Sequence, residues 1–187
     1  MTQELLRGER VRLAAPDPDQ GAEQVAGWHR DSEYSRLLDS DPARPVGVRE
    51  VTDWLGGEPK PTSFNFWIRT LADDRLIGFG GLWLHHWTHR DAWLGIGIGE
   101  RADWGQGYGT DAVRVLVRFG FLELGLHRVS LSVFGYNPRA QRAYAKAGFV
   151  AEGRIRQLLA RDGQRWDEVV MGILYADWLR TQAPAPG

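Results

Sequence analysis

The 187-residue sequence contains no cysteine, which excludes disulfides, thiolate metal sites and a cysteine nucleophile. It also lacks any apolar run of the roughly 18–20 residues that a membrane helix requires. Its first residues have neither the basic start nor the apolar segment of a signal peptide. We therefore expect a cytoplasmic protein without a membrane partner. The length suits a single domain, expected over residues 1–180, with a flexible tail over 181–187.

An excess of positive charge is missing as well. The chain has 23 basic and 24 acidic residues, for a net charge of −1. Proteins that bind nucleic acids usually carry a basic excess, so we expect no nucleic-acid partner. Lysine is scarce, since Lys60 and Lys146 are the two in the chain and arginine supplies the remaining basic residues.

The apolar periodicity changes along the chain between the two-residue period of strands and the longer period of helices. Helices are expected over residues 19–38 (one or two), 48–55, 109–124 and 138–147. Strands are expected over residues 10–13, 64–71, 76–83, 92–99, 128–134, 149–160 and 166–174. This order predicts an α+β fold with a mixed sheet and one strand–helix–strand crossover in its middle.

Glycine alternates with leucine or isoleucine over residues 94–99, in the centre of the chain. Because side chains alternate along a strand, Gly95, Gly97 and Gly99 share one face. A glycine face favours the close approach of another group. Two interpretations remain open: a ligand lies along this strand, or a helix packs tightly against it.

A second glycine-rich segment, Trp104-Gly105-Gln106-Gly107-Tyr108-Gly109-Thr110, leads directly into a predicted helix. Converging backbone amides and the positive end of a helix form a site for phosphate. A Walker loop is excluded because no lysine follows the last glycine. A dinucleotide fingerprint over residues 97–102 fails too, because no helix follows directly and no acidic residue ends a next strand.

This loop resembles the acyl-CoA pyrophosphate loop of the GNAT N-acetyltransferase superfamily, Gln/Arg-x-x-Gly-x-Gly/Ala, with Trp104 in place of the leading Gln or Arg. Residues 137–149, NPRAQRAYAKAGF, are similar to the segment Asn-x-x-(Ser/Ala)-x-x-x-Tyr-x-x-x-Gly-Phe of the same superfamily. The form of the loop, together with Glu152-Gly153-Arg154, is similar to the RimJ/RimL-type branch, which acetylates ribosomal protein N-termini among other amines.

The resemblance implies a mostly antiparallel sheet of about seven strands, flanked by helices, whose central strands 94–99 and 128–134 splay apart. It implies acetyl-CoA as cosubstrate, a primary amine as acceptor (a protein N-terminus or a small molecule), and a monomer or homodimer. Direct attack by the amine needs no enzyme nucleophile. The implied cofactor-binding residues are Ile98, Trp104, Gly105, Gln106, Gly107, Tyr108, Gly109, Thr110, Asn137 and Arg142.

The resemblance also implies that Tyr144 is the general acid. Tyr144 lies seven residues after Asn137, two helical turns further on the same face. For the general base the sequence offers Glu100, with His85, His86 and Glu33 as further candidates, or an ordered water. The spacing His85-His86-x-x-His89 could indicate a metal site, but no acidic helix motif lies near it in the sequence. We therefore expect no metal, and a loop that lines or covers the acceptor site.

Other functions stay open at this stage. One is a CoA-binding regulatory domain without catalysis, which the presence of Tyr144 disfavours. Another is an acetyltransferase that modifies aminoglycosides or polyamines. The near-neutral charge does not require a polycationic substrate.

Overall fold

A computed structural model describes residues 4–55 and 60–182. One seven-stranded sheet, in the order β1-β2-β3-β4-β5-β7-β6, runs through the molecule. Its strands are β1 Val11–Ala14, β2 Ser63–Thr70, β3 Leu76–Leu84, β4 Asp91–Ile98, β5 Arg128–Phe134, β6 Val150–Arg161 and β7 Gln164–Leu174. The helices are α1 Pro18–Trp28, α2 Ser32–Leu38, α3 Val48–Leu55, α4 Tyr108–Leu122, α5 Pro138–Lys146 and α6 Tyr175–Gln182.

The predicted α+β fold is confirmed, and the predicted strands agree with the observed ones within two residues at each end. Helix α6 was missed. It is a single short segment, and its Trp178 is buried against Phe121, with ring centroids 5.5 Å apart. Helix α6 includes the first two residues of the predicted tail; residues 183–187 of that tail lie outside the described residues.

Strands β4 and β5 are the parallel pair of the sheet, and α4 connects them. They pair only at their beginnings, through Asp91–Arg128, Ala92–Val129 and Trp93–Ser130. Beyond Trp93, β4 continues to pair with β3, and β5 pairs with β7 along its whole length. The predicted splay of the central strands is therefore confirmed, and it leaves one backbone edge of each strand open.

Helices pack against two of the three glycines on the glycine face of β4, as the second interpretation held, whereas Gly95 packs against Trp83 of β3. A Cβ atom at Gly99 would lie 2.1 Å from the indole of Trp28, and one at Gly97 would lie 2.8 Å from Leu38 Cδ1. These distances are far inside van der Waals contact. The two glycines thus make room for side chains of α1 and α2. Gly97 also belongs to the wall of the cavity described below, as does Gly95.

Two hydrophobic clusters cover the two faces of the sheet. The larger one contains the buried stripe Val113, Leu116 and Val117 of α4. The smaller one is built from α1, α2 and α3 against the other face. Neighbouring residues Trp67 and Ile68 of β2 belong to different clusters, as the alternation of strand side chains requires. The packed stripe fixes α4, and with it the glycine-rich loop at its start.

Candidate active site

A cavity of about 350 Å³ lies where β4 and β5 separate. Its size falls within the range of small-molecule sites in proteins. The wall is formed by the unpaired parts of the two strands, the loop before α4, the exposed side of α5 and part of α2. The lining residues used below are Tyr34, Leu37, Leu38, residues 94–98, Trp104, Gly105, Gly107, Gly109, Thr110, Ser132, Asn137, Arg139, Arg142, Tyr144 and Lys146.

Most of the predicted cofactor-binding residues line this one cavity. They are Ile98, Trp104, Gly105, Gly107, Gly109, Thr110, Asn137 and Arg142. Gln106 and Tyr108 belong to the same loop but do not contribute to the described cavity wall. Two motifs about 30 residues apart in sequence are thus brought together by the β4–α4–β5 crossover.

The loop before α4 depends on glycine at two positions. Gly105 has φ of +76° and Gly107 has φ of +87°, in the left-handed region where side chains are disfavoured. Gly107 is also the N-cap of α4, and its carbonyl accepts the amide of Asp111 at 3.0 Å. The amides of the first helical turn have no intrahelical partners, and Gly107, Gly109 and Thr110 line the cavity at the positive end of α4. That arrangement suits a phosphate group.

Two carboxylates hold this loop and helix in place. The buried carboxylate of Asp103 accepts hydrogen bonds from both terminal nitrogens of Arg75, each at 2.8 Å. The carboxylate of Asp111 accepts the backbone amides of Glu9, Arg10 and Val11 at 3.1, 2.7 and 3.0 Å. The second set ties the start of α4 to β1. Both buried charges are satisfied, so they rigidify the loop instead of penalising the fold.

Asn137 caps the start of α5 and Tyr144 lies within that helix, and both line the cavity. Asn137 is the predicted N-cap, since its Oδ1 accepts the amide of Ala140 at 3.1 Å. Tyr144 is 8% exposed, and burial raises its pKa to about 12. Its phenol therefore stays protonated at neutral pH, as a general acid must. The predicted spacing of the two residues places both in the wall of the cavity.

The four candidate bases do not reach the cavity wall in the described structure. Glu100 is exposed and precedes the 3-10 turn Arg101–Asp103. Glu33 is exposed and forms an ion pair with Arg101 at 2.5 Å. His85 lies 3.9 Å from Asp91, which begins β4, whereas the cavity lies towards the end of that strand. His86 is exposed in the same loop.

Among the wall residues that were not predicted as site residues, Tyr34 and Arg139 have polar groups that the site can use. Tyr34 of α2 is 2% exposed, and its hydroxyl has no hydrogen-bond partner among the described residues; burial raises its pKa. Arg139 of α5 stacks on Trp104, with 3.7 Å between the guanidinium carbon and the ring centroid. Arg139 occupies a variable position of the Asn-x-x-(Ser/Ala) motif, so the motif did not identify it as a functional residue. Tyr34 belongs to no motif.

Residues 4–55 and 60–182 bring together no group of three or more potential metal-ligating His, Asp or Glu side chains. Nor does any helix in these ranges have the length and apolar character needed to span a membrane.

Comparison with known proteins decides the family. The Acetyltransferase (GNAT) domain matches residues 10–150. The chain belongs to the GNAT acetyltransferases. It is an acetyl-CoA-dependent N-acetyltransferase.

Three similar proteins illustrate the range of this GNAT acetyltransferase's relatives. A probable N-acetyltransferase of Bacillus subtilis (strain 168), YjcK, is 34% identical over 147 residues, 78% of this chain and 81% of that protein. The [ribosomal protein uS5]-alanine N-acetyltransferase of Escherichia coli is 30% identical over 86 residues, 46% of this chain and 44% of that protein. The crystal structure of spermidine N-acetyltransferase from Vibrio cholerae, in complex with CoA and spermine, has a TM-score of 0.80 at 22% identity and covers 90% of this chain and 98% of that chain. At that identity the last likeness concerns the fold.

Proposed function

We propose that this GNAT acetyltransferase transfers the acetyl group of acetyl-CoA to a primary amine by direct attack in the gap between β4 and β5. The observation that carries the proposal is the cavity between the unpaired parts of these strands, which joins the glycine-rich loop to Tyr144. The cavity connects an anion site at one end with a protonated phenol in its wall.

The cofactor's charge and length fit this cavity. Its pyrophosphate binds the amides of residues 105–110, where the left-handed glycines and the start of α4 form the anion site. Its amide-bearing pantetheine arm then lies along the open edge of β4 beyond Trp93, much as an added strand would. This placement brings the thioester towards Tyr144.

In the transfer step the neutral amine nitrogen attacks the thioester carbonyl carbon. An N–C bond forms, the C–S bond breaks, and the electron pair of that bond goes to sulfur. The phenol of Tyr144 donates its proton to the departing thiolate. Backbone amides at the open edge of β4 stabilise the developing oxyanion. The attacking nitrogen loses a proton, for which Glu100 stays the predicted base, reached from its exposed position through water.

For the acceptor we propose a protein N-terminus, as in the RimJ/RimL-type branch. The partial match to the uS5-alanine N-acetyltransferase supports this branch. The cavity wall carries Arg139, Arg142 and Lys146, which suit the phosphates of CoA and repel a polycation. A polyamine is the second candidate acceptor, because the spermidine N(1)-acetyltransferase of Vibrio cholerae is 31% identical over 108 residues, 58% of this chain and 62% of that protein.

The proposal is tested by thiol release from acetyl-CoA in the presence of an alanine-terminated peptide, leucinamide, spermidine or kanamycin. We expect the highest kcat/KM with the peptide, and almost none with the same peptide after chemical acetylation of its N-terminus. A preference for spermidine would transfer the assignment to the polyamine candidate. If no amine releases thiol above the rate with water, the proposed reaction is wrong.

A further inference from the structure

The loop motif of this chain departs from its family at the first position, where Trp104 replaces Gln or Arg. The structure shows that Trp104 does not present its own polar group to the cavity. Its indole Nε1 donates to the carbonyl of Ile98 at 2.8 Å. The hydrogen bond fixes the plane of the ring, and the ring has no further donor for a phosphate.

A guanidinium from another element occupies the face of this ring. The Arg139 guanidinium carbon lies 3.7 Å from the Trp104 ring centroid, well within the range of cation–π stacking. Trp104 directly precedes Gly105, so the cation is held beside the glycine-rich loop, and both residues line the cavity. Stacking on a fixed ring restricts the guanidinium without consuming its N–H donors.

Within residues 4–55 and 60–182 no carboxylate forms an ion pair with Arg139, whereas Arg101, on the same loop as Trp104, is paired with two. Arg101 bonds to Asp31 and Glu33, with 2.5 Å to each carboxylate. The carboxylate whose charge raises the pKa of Arg139 is that of Glu33, which already forms an ion pair with Arg101. Arg139 is also half-buried, and burial lowers its pKa, although an arginine stays charged at neutral pH. A half-buried cation whose N–H donors bond to none of the described residues therefore lines the cavity.

We propose that Arg139, stacked on Trp104, binds the pyrophosphate of acetyl-CoA and replaces the polar residue that Trp104 displaced from the loop motif. The inference rests on the proposed cofactor site. It assigns to a residue of α5 the binding of pyrophosphate that the family motif assigns to the first residue of the loop. The planar fork of the guanidinium suits two phosphate oxygens at once, and the loop amides bind the others.

The test is calorimetric titration of three ligands: CoA, 3′-dephospho-CoA and pantetheine. Arg139→Gln is expected to weaken CoA and 3′-dephospho-CoA equally, by about 10- to 100-fold, as loss of a hydrogen bond between charged groups does. Pantetheine, which lacks the pyrophosphate, is expected to bind unchanged. Arg139→Lys keeps the charge but not the fork, so it is expected to fall in between. The control Arg165→Gln removes one positive charge from an exposed position of β7, and is expected to leave all three affinities unchanged.

The outcomes separate the alternatives. Weaker binding of CoA alone would assign Arg139 to the 3′-phosphate and overturn the pyrophosphate assignment. An equal loss for pantetheine would mean that the stack only supports the cavity, and unchanged binding of all three ligands would also overturn the proposal. No acceptor is present, so the result does not depend on which amine is acetylated. If the unsubstituted protein bound none of the three ligands, the proposed cofactor site itself would be refuted.

Discussion

Replacement of Tyr144 by phenylalanine separates chemistry from packing at the candidate site. The ring of Tyr144 is 8% exposed and packs 6.1 Å, centroid to centroid, from the ring of Phe149. Phenylalanine keeps that ring and creates no cavity, so the fold and the walls of the site are expected to stay intact. The only group lost is the hydroxyl proposed to protonate the departing thiolate.

The expected loss follows from the role of the proton. General acids of this kind accelerate reactions by about 10²–10⁴-fold, so kcat is expected to fall by that factor, about 2.7–5.4 kcal/mol of barrier. Because burial raises the pKa of Tyr144 to about 12, the acid is protonated throughout the usual assay range. The ratio of wild-type to Tyr144→Phe turnover is therefore expected to be constant from about pH 6 to 10, and to fall only as the pH approaches that value.

The assay is thiol release under saturating acetyl-CoA, with CoA affinity measured separately by calorimetry. CoA affinity is expected to stay within about threefold, because the hydroxyl is assigned to the sulfur in the transfer step, while the pyrophosphate and pantetheine contacts are assigned to other groups. Tyr175→Phe is the matched control, since its hydroxyl lies on α6, away from the cavity. Equal turnover of Tyr144→Phe and wild type at every pH would refute the reasoning and leave Tyr144 as a packing residue.

Three further predictions concern the cofactor loop and the α1–α2 side of the site. Gly107→Val is expected to weaken CoA binding at least tenfold by calorimetry, because a left-handed φ of +87° strains any side chain by about 1–2 kcal/mol. The control is Gly163→Val, at φ +73° in the β6–β7 turn, which carries similar strain and is expected to keep CoA affinity. Tyr34→Phe removes a buried hydroxyl that has no partner among the described residues, so the free energy of unfolding in urea is expected to be unchanged or up to about 1–3 kcal/mol higher. A lower free energy of unfolding would mean that the hydroxyl is hydrogen-bonded. Burial lowers the pKa of His29 below 6.5, so its neutral form stabilises the fold above pH 6.5 and stability falls as the pH drops below that value. Urea unfolding of His29→Gln is expected to show a shallower fall, and an identical pH dependence would contradict the assignment.

Much of the fold could be predicted because its determinants are local. The crossover helix α4 carries an uninterrupted apolar stripe, and α5 begins with Asn137-Pro138, a strong helix start. Helix α6 could not be predicted in this way, because it is a short segment stabilised by the packing of Trp178 against Phe121. Tertiary burial, rather than periodicity, determines such an element.

The candidate site was predictable only where it coincides with sequence motifs. The glycine loop and Tyr144 belong to motifs, and the crossover brings them into one cavity. Arg139 gains its place from stacking on a ring more than thirty residues earlier, a contact that no local pattern encodes. For Gly97 and Gly99, the alternation correctly predicted that the glycines share one face of the sheet. It could not predict that Leu38 and Trp28 pack against that face, because these contacts are tertiary.

A crystal structure of the complex with CoA tests the central claim most directly. We predict the pyrophosphate on the amides of residues 105–110, with the pantetheine arm between the unpaired part of β4 and residues 131–134 of β5, and the sulfur closest to Tyr144. Cofactor bound away from this gap, or a complex in which β4 and β5 pair along their whole length, would contradict the account.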